Sequence, residues 1–280
     1  MTDSYLARYD RMADRAAAQV IGQYSTSFSL ATQVLDADTK RDIRNLYAVV
    51  RIADEIVDGT AAEANECPET LLDLYEEQVL HAPMHRFHTD PVLHAWANTH
   101  RRCGINDDHV RAFFASMRRD ITQSDYSEED LGDYIYGSAE VIGLMCLDVF
   151  LRGRDTPHRS ELEDGARALG SAFQKVNFLR DLGEDSRALG RAYFNAPLDD
   201  ALKSTLTSQI ADELDRAHTA IPLLPPAARG GVAAAEALFR ELNSRIAATP
   251  AAELQSTRVS VPNHIKLALT AKALANARKQ

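Results

Sequence analysis

The chain has 280 residues, of which 45% are hydrophobic and 26% charged, the composition of a globular protein with a sizeable core. Its formal net charge is −10, so nucleic acid is excluded as an expected partner because no basic excess is available to neutralise phosphates. The three cysteines are too few and too widely spaced for a disulfide framework or a zinc site, and they favour a reducing, cytoplasmic compartment.

Neither the N-terminal stretch nor the most apolar run of the sequence predicts a membrane-spanning segment. The N-terminal stretch MTDSYLARYDRMADR is charged and lacks an apolar run, so we expect no signal peptide. The most apolar long run, residues 141–151, is too short to span a bilayer and contains Asp148. We therefore expect no transmembrane segment, while attachment to a membrane surface stays open.

The first strong helical pattern covers residues 39–59, TKRDIRNLYAVVRIADEIVDG. Its apolar side chains recur with a 3.6-residue period, and Gly59 follows as a stop signal. Near the end of this helix Asp54 and Asp58 are four residues apart and share one face, where like charges repel each other. Arg51 lies three residues before Asp54. Because apolar residues surround the pair, the two carboxylates need a cation to neutralise them.

Two later segments are predicted to be long helices. Residues 127–151 are apolar on most sides, which indicates a helix buried in a bundle. Residues 156–185 are expected to start with Thr156 as the cap and Pro157 as the first helical residue. Further helices are expected at 69–80, 107–123, 208–221, 226–247 and 263–278. Alternating strand patterns are absent from the sequence, so we predict one all-α domain over residues 1–280, with roughly eight to ten helices.

The segment NFLRDLGED, residues 177–185, repeats the acidic spacing of the first helix. Asp181 and Asp185 are four residues apart, and Arg180 immediately precedes Asp181. One such pair alone is most simply a solvated acidic face. Two pairs among apolar residues favour Mg²⁺, which takes one or two carboxylates and completes its shell with water and substrate phosphates. Two such faces opposed across a bundle would hold metal ions against a diphosphate, with arginines donating to the same oxygens.

Together these motifs resemble the squalene and phytoene synthase family, which joins isoprenoids head to head. The stretches that carry the resemblance are YSTSF at 24–28, LYAVVRIADEIVDG at 46–59, GSAFQKVNFLRDLGEDSRALGRAYF at 170–194 and RVSVPNHIKLALTAKAL at 258–274. In the second of them, Glu55 stands where the family has an aspartate.

The resemblance implies an isoprenoid synthase fold, a single-domain helical bundle around a central cavity. It implies that two prenyl diphosphates, with geranylgeranyl diphosphate favoured, condense through a cyclopropyl diphosphate to phytoene in carotenoid biosynthesis. Two alternatives stay open: a squalene or dehydrosqualene synthase acting on farnesyl diphosphate, and a non-catalytic relative that serves as an assembly protein.

The resemblance also assigns roles to individual residues. Magnesium, or manganese in its place, is the implied cofactor, and NADPH is not expected, since no GxGxxG fingerprint is present. The implied metal ligands are Asp54, Asp58, Asn177, Asp181 and Asp185, and the four aspartates are also catalytic residues. The implied substrate-binding residues are Ser25, Ser27, Phe28, Arg51, Gln174, Asn177, Arg180 and Arg191. The two remaining catalytic residues are Tyr47 and Tyr134, the latter expected to face the cavity.

Four features leave alternatives. Glu140 replaces a family glycine on a helix that should line the cavity, and it either points to a neighbouring helix or alters the cavity. His81 and His85 are taken as surface histidines rather than a metal site, because Pro83 lies between them. Residues 116–120 are expected to be a helix surface, with a diphosphate contact as the minor option. The basic C-terminal helix is either a solvated face or a contact with anionic lipid. The sequence does not fix the oligomeric state.

Overall fold

The described chain is helical, as the sequence predicts. A computed structural model describes residues 4–122, 128–188 and 198–277, and helices account for all regular secondary structure in these ranges. The α-helices are α1 Tyr5–Tyr24, α2 Thr26–Gln33, α3 Ala37–Val57, α4 Thr60–Glu63, α5 Pro68–His81, α6 Pro91–Cys103, α7 Asp107–Thr122, α8 Glu128–Ile135, α9 Val141–Leu151, α10 Arg159–Ala188, α11 Asp200–Ala220, α12 Pro226–Ala248, α13 Ala251–Leu254 and α14 Asn263–Ala277. A π-helical turn, Tyr136–Glu140, joins α8 to α9. These described segments outnumber the eight to ten predicted.

Helix α3 ends where the sequence predicts. Asp58 is its C-cap, and the next residue, Gly59, has a φ of 124°, a conformation that favours glycine. At the other end the Asp36 carboxylate accepts hydrogen bonds from the backbone N–H groups of Asp38 and Thr39, which fixes the first turn. The acidic pair therefore lies on the last turn of a firmly bounded helix.

The predicted start of α10 is wrong by two residues. The Thr156 hydroxyl accepts a hydrogen bond from the His158 N–H at 3.3 Å, and Arg159 N–H donates to the Thr156 carbonyl. These bonds form a turn, so the helix begins at Arg159 rather than at Pro157. Helix α11 also begins earlier than predicted, at Asp200, because the Asp199 side chain caps it by accepting from Leu202 N–H at 2.7 Å.

Helix α9 lies in the centre of the bundle and packs against α3, α7 and α10. Its residues Val141, Met145 and Val149 belong to the main apolar core. The continuous helix Asp130–Leu151 is long and apolar enough to cross a membrane by length and composition, but 61% of its most apolar window is buried inside the protein. A core helix of a bundle has this composition too.

Glu140 points to a neighbouring helix, which decides between the two alternatives left by the sequence. Its Oε2 accepts a hydrogen bond from Arg167 Nε on α10 at 2.7 Å, and the Arg167 guanidinium lies 5.5 Å from the centroid of the Tyr136 ring. At Gly170 a Cβ would overlap the carbonyl oxygen of Ala139, so α10 and the π-helical turn are in backbone contact here. The Glu140–Arg167 ion pair therefore lies at the solvent-facing edge of the contact between α10 and the π-helical turn.

Candidate active site

The first acidic pair faces one arginine at the C-terminal end of α3. Arg51 Nη1 lies 3.8 Å from an Asp54 oxygen, and Arg51 Nη2 lies 3.8 Å from an Asp58 oxygen. Both distances exceed hydrogen-bonding range, so the attraction is purely Coulombic. The spacing read from the sequence thus puts the two carboxylates and the guanidinium together.

Asp54 carries the strongest sign of an unsatisfied charge. Burial raises the pKa of the Asp54 carboxyl to about 8, and the nearby Asp58 carboxylate raises it further than Arg51 can compensate. The side chain is nevertheless 31% exposed. Part of the side chain is therefore accessible from solvent, and a cation that approaches it would find a carboxylate destabilised by its neighbours.

A third carboxylate, Asp120 of α7, lies near enough to Asp54 to act on its charge. Its charge contributes to raising the pKa of Asp54, which places it on the same side of the bundle. Residues 116–120 were predicted to form a helix surface, with a diphosphate contact as the minor option, and the proximity of Asp120 to Asp54 was not predicted. Asp120 lies four residues after Ser116 and three after Met117, both buried in the structure, and so it shares their face of α7.

Glu55 holds the arginine rather than a metal. Its carboxylate forms a close ion pair with Arg51 and accepts a hydrogen bond from the Thr60 hydroxyl at 2.7 Å. The Arg51 guanidinium also lies 4.5 Å from the centroid of the Tyr24 ring. Arg51 Nε is buried and has no acceptor among the described residues. A donor in that state is suited to a ligand oxygen.

The second acidic face lies on α10 and is also covered by arginines. Arg180 Nε donates to Asp181 Oδ1 at 2.9 Å, and Arg258 Nε reaches the same oxygen at 2.8 Å. Arg258 comes from the segment that precedes α14. Sequence reasoning did not assign it a role, although the resemblance of residues 258–274 to the family's C-terminal motif was the available signal.

The structure describes some of the remaining predicted site residues. Gln174 and Asn177 are half-buried, seven and four residues before Asp181 and so on its face. The side chains of Ser27 and Asp185, and the whole of Arg191, lie outside the described residues. Their predicted roles stay predictions.

The described donors fit magnesium. No group of three or more His, Cys, Asp or Glu side chains converges as metal ligands within the ranges that the structure describes. Magnesium does not need such a group, because it usually takes one or two carboxylates and keeps water and phosphate oxygens for the rest. Asp54 and Asp58 supply carboxylates of this kind, and a bound cation would favour the ionised form of Asp54 over the protonated form that burial favours.

An aromatic cluster links the two acidic helices. The Phe28 ring of α2 lies 6.5 Å from Tyr47 on α3, 5.8 Å from Phe173 on α10 and 5.9 Å from Phe239 on α12, measured between centroids. Ser25 caps α2 by accepting from Phe28 N–H at 3.2 Å, and it also hydrogen-bonds to Tyr47. Burial raises the pKa of the Tyr47 hydroxyl. The predicted flap residues Ser25 and Phe28 therefore meet Tyr47.

Tyr134 is buried in the wall between α8 and α10. It is 3% exposed and stacks on Phe178, with the ring centroids 6.1 Å apart. Ser116 Oγ donates to its backbone carbonyl at 3.1 Å, which ties α8 to α7. Phe178 directly follows Asn177, so Tyr134 is packed beside the second acidic helix.

Solved structures share this architecture. A dehydrosqualene synthase superposes with a TM-score of 0.80 at 21% identity, covering 98% of this chain and 100% of that one. Squalene synthase HpnC from Alicyclobacillus acidocaldarius superposes with a TM-score of 0.73 at 20% identity, covering 88% of this chain and 95% of that one. The chain is thus an all-α protein with the isoprenoid synthase fold, as predicted.

Sequence comparison gives the family. The squalene/phytoene synthase family model matches residues 21–264. The phytoene synthase of Arthrospira platensis is 35% identical over 193 residues, which cover 65% of this chain and 60% of that protein. The chloroplastic phytoene synthase 3 of Zea mays is 33% identical over 227 residues, 80% of this chain and 50% of that protein. The chain belongs to the squalene/phytoene synthase family, and it spans about half to two thirds of the length of the curated relatives it matches.

Proposed function

We propose that this chain joins two molecules of geranylgeranyl diphosphate head to head and forms phytoene through a cyclopropyl diphosphate. The observation that carries the proposal is the pair of acidic faces on α3 and α10, each with an arginine beside its carboxylates. A site that takes up a metal together with a diphosphate needs carboxylates for the metal and arginines for the diphosphate oxygens. Membership of the family supports the same reaction.

In the first step, diphosphate leaves one substrate, and the site residues have different roles in stabilising it. Magnesium, or manganese in its place, would be held by Asp54, Asp58, Asn177, Asp181 and Asp185 and would stabilise the departing diphosphate when bound. Arg51, Arg180, Arg191 and Arg258 would donate hydrogen bonds to the oxygens of that group.

The carbon–oxygen bond of one substrate breaks, and diphosphate leaves with the electron pair. A double bond of the second substrate then attacks the allylic cation, and loss of a proton closes the cyclopropane ring.

The second step needs a dry apolar cavity. The cyclopropyl diphosphate loses its own diphosphate, rearranges and gives up a proton, so no reductant enters and no NADPH is expected. The clustered rings of Phe28, Tyr47 and Phe173 would exclude water from the cation. Tyr134 is proposed to steer the cation or the proton from the α8 side.

The test is product formation by the full chain. Purified protein with magnesium is incubated with geranylgeranyl diphosphate, with and without NADPH, and the extracted hydrocarbon is identified by mass spectrometry. Asp54→Asn and Asp181→Asn should each lower the rate at least about a hundredfold, whereas Asp212→Asn, at an exposed position of α11, should leave it unchanged. Near-normal rates in both site variants would refute the metal-ligand roles.

A second candidate uses farnesyl diphosphate and makes a shorter hydrocarbon. It is favoured by the structural likeness to a dehydrosqualene synthase and by a 4,4'-diapophytoene synthase of Staphylococcus haemolyticus, 30% identical over 203 residues. The same incubation with farnesyl diphosphate decides, since the preferred substrate should give the higher kcat/KM. Diphosphate binding without turnover of either substrate would favour the non-catalytic alternative.

A further inference from the structure

An apolar groove lies on the surface at the N-terminal end of α1. Its volume is about 650 Å³, and its lining residues are Tyr5, Leu6, Arg8, Tyr9, Met12 and Phe87. Tyr5 is 85% exposed, Phe87 54% and Met12 42%. Clusters of large apolar side chains on a protein surface often mark binding sites, so we expect this groove to bind a ligand or partner.

The groove has an ordered floor. Tyr9 donates a hydrogen bond to the Thr89 carbonyl at 3.0 Å, and its ring lies 5.0 Å from the centroid of Phe87. The loop that carries Phe87 is thereby fixed against α1. Tyr9 and Phe87 thus form an ordered part of the groove.

Three arginines flank the groove. Arg8 and Arg15 are exposed and lie four residues before and three residues after Met12, on one stripe of α1, and Arg86 is exposed beside Phe87. The acids of α1 are turned to other helices instead: Asp10 binds His94 and Asn98 of α6, and Asp14 binds Asn45 of α3. In a chain with a net charge of −10, this cationic apolar face stands out from its surroundings.

We propose that this face, defined by Tyr5, Leu6, Arg8, Met12, Arg15, Arg86 and Phe87, docks on an anionic lipid bilayer. Arginine binds lipid phosphates, and the aromatic and Met side chains insert at the level of the head groups. The acidic remainder of the molecule is repelled by the same bilayer, so charge orients the protein with this face down. The inference does not depend on the proposed reaction.

The face is remote from the acidic pairs. Tyr24, at the other end of α1, contacts Arg51, and Met12 precedes Tyr24 by twelve residues, or about 18 Å of helix. Substitutions on the face can therefore be tested without touching the candidate active site.

The experiment is co-sedimentation of the full chain with phosphatidylcholine vesicles that contain none, or roughly 30%, of an anionic phospholipid such as phosphatidylserine. The wild type should sediment with the anionic vesicles and be released by high salt. The double variants Arg8→Gln/Arg86→Gln and Met12→Ser/Phe87→Ser should each lower the partition coefficient about tenfold or more. Thermal unfolding of each variant confirms that it is folded.

Matched controls are Arg111→Gln and Leu74→Ser, exposed residues of the same types on other helices, which should bind like the wild type. Leu267→Ser tests the basic C-terminal helix, where the exposed Leu267 side chain is the obvious anchor. Wild-type binding by both face variants, or a loss with Leu267→Ser alone, would overturn the proposal. A wild type that does not sediment with the anionic vesicles would also overturn it. Dimerisation of the wild type that is abolished by Met12→Ser/Phe87→Ser would then identify a second copy of the chain as the occupant.

Discussion

Asp54→Asn should make the metal-free protein more stable while it inactivates the site. In the folded protein, burial and the nearby carboxylates raise the pKa of Asp54 from 3.8 to about 8. Between these two values the folded state binds more protons than the unfolded state, so this residue makes stability fall as pH rises. Asparagine keeps the shape of the side chain and removes that dependence.

The size of the effect follows from the pKa difference. At one pKa unit per 1.36 kcal/mol, ionised Asp54 would cost about 5 kcal/mol near pH 8 and about 2 kcal/mol near pH 5. The carboxylate is 31% exposed, and solvent screening reduces both costs, so we expect a gain of about 2 kcal/mol near pH 8 and under about 1 kcal/mol near pH 5. For a chain of this size the gain near pH 8 corresponds to a Tm higher by about 4 to 8 °C.

The assay is thermal unfolding in the presence of a chelator at the two pH values. Asp212→Asn, on an exposed stretch of α11, is the matched control and should shift Tm at neither pH. Adding magnesium should raise the Tm of the wild type and leave that of Asp54→Asn nearly unchanged. A Tm of the variant equal to or below the wild type near pH 8, or an equal gain at both pH values, would refute the reasoning.

Three further substitutions test the fold around the site. Asp42 is fully buried and accepts hydrogen bonds from three arginines, on α3, on α6 and at the end of α9. Asp42→Asn should therefore lower the free energy of unfolding, measured in urea, by about 2 to 4 kcal/mol. A loss below about 1 kcal/mol would contradict the stabilising role of this network. Glu140→Ala removes the outward pair with Arg167 and should cost about 0.5 to 1 kcal/mol without changing product length, whereas a longer or shorter hydrocarbon would mean that Glu140 shapes the cavity. Gly170→Ala forces a side chain into the backbone of the π-helical turn and should lower stability by about 2 kcal/mol or more, while Gly22→Ala, at a helical position with open space, should not lower it.

The helices that the sequence predicted well are those whose period consists of large apolar residues. Helix α3 is of this type, and its stop at Gly59 needs a φ that glycine adopts most easily. Helix α1 was missed because the residues it buries include Ala13 and Ala17, which make little hydrophobic signal. Helix α6 was missed because two of its buried residues, His94 and Thr99, are polar and are satisfied by partners far away in sequence.

The same distinction separates the predicted site residues from those that were missed. Asp54 and Asp58 could be paired from spacing alone, since an interval of four residues fixes a shared helix face. Asp120, Arg258 and Phe239 come from other helices or segments, and their approach depends on how the bundle packs. No local rule in a single sequence gives such a contact.

The Glu55 substitution makes sense within this geometry. Glu55 lies one turn after Arg51, and its close ion pair holds the guanidinium 3.8 Å from Asp54 and from Asp58. At that distance Arg51 attracts both carboxylates but hydrogen-bonds to neither, and the pKa of Asp54 stays raised. An arginine bonded directly to Asp54 would have lowered that pKa and satisfied the carboxylate. Glu55 therefore holds Arg51 too far from Asp54 and Asp58 to neutralise them fully. A divalent cation bound to both carboxylates would supply the remaining positive charge.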